Sequence, residues 1–112
     1  MLFSTNVRAI ALCVSLADKL QELLYHAFSR GYVVVIPDYF INRKGARVHV
    51  HNAAELAQSV LNGECFVVNT EKNARRLAAA MGGSVMDAPN FIGYLRMKLD
   101  ARAENILNNA DR

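Results

Sequence analysis

The chain has 112 residues, 53% of them hydrophobic and 21% charged, which bounds it to one globular domain (1–112) and excludes a disordered or fibrous chain. Its formal net charge of +3 permits an acidic partner without demanding one. No apolar run nears the roughly 18 residues of a membrane span, so neither a membrane location nor a membrane partner is expected.

The first residues lack a basic stretch ahead of an apolar one, so a signal peptide is not expected and a cytoplasmic location is. Thr5 or Asn6 has the chemistry to cap a first helix running towards Arg30. Val7, Ile10, Val14, Ala17, Leu24 and Phe28 form its apolar stripe. Ser15 to Asp18 has capping-box spacing, which offers a break into two helices near Ser15, and Gly31 fits a left-handed stop.

Residues 32–36 (Tyr-Val-Val-Val-Ile) predict a strand buried on both faces. Pro37 interrupts it because proline cannot donate to a ladder. Residues 38–41 resume extended structure, and Asn42-Arg43-Lys44-Gly45 reads as a hairpin turn with Gly45 in the left-handed position. The return strand, 46–51, alternates: Val48 and Val50 face one way; Arg47, His49 and His51 face the other.

From about residue 48 the chain runs one small program twice. An apolar stretch (Val48, Val50), then Asn52, a helical run over 53–61 and Gly63 are followed by Phe66-Val67-Val68, then Asn69 or Thr70 as the cap, a helical run over 70–81 and Gly82-Gly83. Strand, cap, helix and glycine stop in that order predict crossover units and a partly parallel sheet. Residues 65–68 are read as a second interior strand, and 84–86 as a further short one. Asp87-Ala88-Pro89-Asn90 signals the start of a last helix reaching about residue 108. Arg96 there stands at pairing distance from Asp100. Phe91, Tyr94 and Met97 fall partly off its stripe, as extra core or as contacts in a homodimer through this C-terminal helix.

The expected fold is therefore α/β, bordering on α+β: a single domain with a four-stranded mixed sheet, βαβ-type crossovers and flanking helices. The first hairpin strand and 65–68 take the middle of the sheet.

Function is less legible than fold. Cys13 and Cys65 each sit in an apolar run and read as reduced core thiols. His49 and His51 share a strand face and could bind one metal ion with Asp38 or His26, but two histidines without a spaced third ligand are more often edge-strand polarity. Arg43, Lys44 and Arg47 cluster at the hairpin beside Tyr39 and Phe40; Lys72, Arg75 and Arg76 add a second basic strip. Cations hold phosphates and aromatics stack on bases, so these six residues are the candidate nucleic-acid contacts. No nucleophile elbow, glycine-rich phosphate loop or carboxylate pair stands out, and no cofactor is implied. The expectation is a small, non-enzymatic binding or regulatory module whose ligand is nucleic acid or another protein. The alternative is a metal-assisted hydrolase built on His49 and His51.

Overall fold

A computed structural model describes residues 4–110. Helix α1 spans Ser4–Glu22, followed by two short 3₁₀ turns at Leu23–Tyr25 and Ala27–Arg30. Then come β1 (Tyr32–Val35), β2 (Tyr39–Ile41), β3 (Arg47–His49), α2 (Ala53–Leu61), α3 (Glu71–Met81), β4 (Ser84–Asp87) and α4 (Ala88–Ala110). Among the described residues, no helix is long and apolar enough to cross a membrane.

The helical run towards Arg30 is shorter than the pattern implies, because its regular part stops at Glu22. The helix runs unbroken through Ser15 and is already formed at Thr5 and Asn6, so neither of these caps it. Gly31 is extended (φ −109°) and not left-handed. It is required for space: a Cβ there would stand 2.1 Å from Cγ1 of Val67.

The four-stranded mixed sheet does not form. Two antiparallel ladders replace it: β1 pairs with β4 (Tyr32 opposite Asp87 to Val35 opposite Ser84) and β2 with β3 (Tyr39 opposite His49 to Ile41 opposite Arg47). The reason lies at Pro37-Asp38. Tyr39 N–H donates to the Ile36 carbonyl (3.2 Å), and Asp38 has φ +67°. Proline followed by a positive φ is the type II turn pattern, whose twist opposes that of paired strands and splays them. β1 and β2 therefore touch as strands only at Ile36 and Tyr39.

Residues 65–68 close the open end of this splay and are not a regular strand. Phe66 N–H donates to the Ile41 carbonyl at the end of β2, while Val68 and Tyr32, at the start of β1, exchange both backbone bonds (each 2.8 Å). Val68 and β4 lie on opposite edges of β1, both antiparallel to it, and so run parallel to each other. Cys65 and β3 stand in the same relation around β2. Each echoing unit is thus a crossover split by an intervening strand, which is why the sequence resembles direct βαβ units.

The strands form a middle layer. On one side Leu16, Leu20, Val33, Phe40, Leu95 and Leu99 join a core shared by α1, α2 and α4. On the other, Val34, Ile36 and Ile41 pack with Ala78 of α3. β1 is thereby buried on both faces, as its composition predicts. Truncating any fully buried leucine in such a core to alanine costs about 2–5 kcal/mol.

α1 and α4 lie side by side in opposite directions. Arg96 Nη1 donates to Oε1 of Gln21 (2.5 Å), so Arg96 turns inward and does not pair with Asp100. No residue of α1 before Cys13 is buried, nor any at 100–109 of α4. These more exposed ends form a two-helix arm, with Asn52 at the start of α2 beside Leu12 and Arg102 and with Ala103 still packed against the core.

Candidate nucleic-acid interface

The β2–β3 hairpin is built on a stiff tip. Asn42 Oδ1 accepts from the N–H groups of Lys44 and Ala46 (both 3.0 Å), Gly45 N–H donates to the Asn42 carbonyl (2.9 Å), and Gly45 takes φ +84°. That side-chain turn fixes the register and presents Arg43 and Lys44 to solvent.

Counting back from the tip, Tyr39, Ile41, Arg47 and His49 share one hairpin face. Arg47 lies over the Tyr39 ring, its Cζ 5.6 Å from the centroid. Tyr39 meets His49 edge-on at 5.3 Å between centroids, and His49 meets His51 edge-on at 4.7 Å. The four side chains form an unbroken, exposed ladder of one guanidinium and three rings. Beyond β3, Glu55 holds His51 N–H (3.4 Å), and Asn52 caps α2 by accepting from Glu55 N–H (2.9 Å).

The basic strip of α3 starts from a second cap, Thr70, which accepts from Asn73 N–H (3.2 Å). Asn69 is therefore not the cap. Lys72, Arg75 and Arg76 are all exposed, and Arg75 spends its charge on Glu71 (2.6 Å). Ile41, on the ladder face, packs with Ala78 of α3, so ladder and helix lie on the same side of the strand layer. Arg43 and Asn69 line one open groove of about 560 Å³, whose remaining wall comes from residues 65–67, the end of α2 (Val60, Gly63) and the second 3₁₀ turn (Ala27, Phe28).

The histidine pair shares a face, as the alternation predicts. Among the described residues no group of three or more His, Cys, Asp or Glu is placed to hold a metal ion, so neither Asp38 nor His26 supplies a third ligand. Asp38 instead uses its carbonyl to accept from Val50 N–H (2.9 Å). Both cysteines are free and buried. Burial pushes the Cys65 thiol up to about 12 and raises that of Cys13, where Arg102 pulls in the opposite sense.

A second feature was not legible in sequence. A cleft of about 370 Å³ opens between the β1–β2 splay, the start of α2 and one face of α4, with Asp38, His51, Asn52, Tyr94 and Lys98 among its lining. The one local signal was the spacing of Tyr94 and Lys98, which stacks the ammonium 5.3 Å over the ring. Phe91 is core (2% exposed) and Tyr94 lines the cleft; of the three off-stripe residues, only Met97 is exposed.

Comparison with known proteins finds no matching family model, no similar curated protein and no similar solved structure.

Proposed function

We propose that the protein is a non-enzymatic binding module that takes single-stranded nucleic acid on the outer face of the β2–β3 hairpin. The observation that carries this reading is the Arg47–Tyr39–His49–His51 ladder. Exposed rings in an unbroken row offer bases a stacking platform, and each stacked base contributes about 1–3 kcal/mol without demanding a particular sequence. Arg43 and Lys44 at the stiff tip are free to reach phosphates, as are Lys72 and Arg76 on the same side; no ion pair engages them among the described residues. Arg75 contributes less, because Glu71 neutralises it. The test is fluorescence anisotropy of a labelled oligonucleotide across a salt series.

A second reading, a protein partner, is supported by the α1/α4 arm. Val7, Leu12, Val14 and Leu107 are each at least 42% exposed on α1 and α4. The charges nearby balance, Arg8 and Arg102 against Asp100 and Glu104, so a second copy is not repelled. This favours self-association through both terminal helices, and not through α4 alone. The hydrolase alternative has the weakest support, for want of a third metal ligand.

A further inference from the structure

The cleft beside the splayed hairpin has a chemical character of its own. Its floor is apolar, with Val33, Phe40, Leu56, Phe91 and Leu95 among its lining. Its lining holds a single carboxylate residue, Asp38, and a single lysine, Lys98, of opposite sign. Both are exposed at the mouth, and they do not form an ion pair with each other. Asp38 is held there by a left-handed backbone, the single positive φ among described residues other than glycine. Lys98 is held over the ring of Tyr94.

A second observation points into the same space. Tyr32 directs its N–H and C=O at Val68, so by alternation Val34 also turns its backbone away from β4 and towards the splay. No backbone bond to Val34 crosses that splay among the described residues, although Val34 is only 4% exposed and lines the cleft. Buried backbone groups are nearly always paired, so an acceptor and a donor stand available here. At the other end of the cleft Ala53 brings the first turn of α2, whose N–H groups favour an anion.

We propose that this cleft binds a small zwitterion with an apolar body: a free α-amino acid with an aliphatic or aromatic side chain. Its ammonium is taken by Asp38 and the Val34 carbonyl, its carboxylate by Lys98 and the start of α2, and its side chain by the floor. The volume falls in the usual range for small-ligand sites. The proposal is independent of nucleic-acid binding and stands or falls separately.

The experiment is calorimetric titration of the full chain with L-phenylalanine and L-leucine, beside two half-ligands: phenethylamine, which lacks the carboxylate, and 3-phenylpropanoate, which lacks the ammonium. The amino acid should bind about tenfold tighter than either half-ligand. Lys98→Met should weaken L-phenylalanine about tenfold and leave phenethylamine unchanged. Asp38→Asn should do the converse, sparing 3-phenylpropanoate; asparagine tolerates the positive φ, so the turn survives. Amide shifts on titration should centre on Val34, Ala53 and Lys98. No saturable binding of either amino acid up to about 10 mM would overturn the proposal. So would a half-ligand that matches the amino acid, or shifts confined to another surface.

Discussion

Tyr39 and His49 face each other across the β2–β3 ladder, their rings 5.3 Å apart and crossed at 77°. The pair couples the two strands of the hairpin and forms the centre of its exposed ladder. Aromatic cross-strand pairs contribute roughly 0.2–1 kcal/mol to a sheet, so Tyr39→Ala should lower thermal stability only slightly. Its effect on single-stranded DNA or RNA binding should be larger, about 1–3 kcal/mol, or roughly 5- to 150-fold in affinity. Anisotropy titration of Tyr39→Ala beside Tyr39→Phe separates the two effects, since phenylalanine keeps the stacking face. Equal losses in both variants would count against stacking.

Gly31 gives a test of the splayed architecture. Gly31→Ala places a methyl 2.1 Å from Val67 Cγ1 and 3.1 Å from the Val68 carbonyl. Overpacking of this kind costs about 1–3 kcal/mol. Because the worst contact is a side chain, Val67→Ala should recover much of that loss in the double variant, a coupling that urea denaturation measures directly. Strictly additive losses would mean that 65–68 does not pack on Gly31 as described.

Cys65 makes stability depend on alkaline pH. Burial holds its thiol protonated up to about 12 against an ordinary value of 9.0. Above pH 9 the unfolded chain has released a proton that the folded chain still binds. Stability is therefore intact below pH 9 and falls as pH rises towards 12, by up to about 1.4 kcal/mol per pH unit. Urea midpoints between pH 8 and 10.5 should show this slope, and Cys65→Ala should flatten it.

The two-helix arm should drive self-association. Sedimentation across a concentration range should show a dimer, and Val7→Glu with Val14→Glu should return it to monomer without loss of helicity, since both side chains are half exposed. A wild-type monomer at high concentration would remove this reading.

Much of this structure is legible in local sequence, and what is not has a geometric cause. The caps Asn52 and Thr70, the turn at Gly45, the doubly buried β1 and the start of α4 all depend on neighbours within a few residues, where turn and cap chemistry is informative. Pairing partners are not local. Pro37 announces an interruption, but the positive φ at Asp38 that splays β1 from β2 is a property of the folded turn. Once the strands part, Phe66 to Val68 can bridge the gap and cannot lie in a ladder, although they are as apolar as β1. The ladder was half legible: His49 and His51 share a face by alternation, and Tyr39 joins them only once the hairpin register is fixed by Asn42. The cleft was invisible, because Asp38 and Lys98 meet its walls from elements far apart in the chain.

The central claim is that the hairpin face binds single-stranded nucleic acid, and its most direct test is the salt dependence of affinity. Each phosphate neutralised on a single strand contributes about −0.7 to the slope of log K against log salt. Replacing Arg43, Lys44 and Arg47 together with alanine should weaken oligonucleotide binding and make the slope shallower by about 2. The Lys72→Ala, Arg76→Ala pair should do the same to a smaller degree. Undetectable binding of the wild-type chain at low salt, or a slope unchanged by the hairpin triple variant, would contradict the claim.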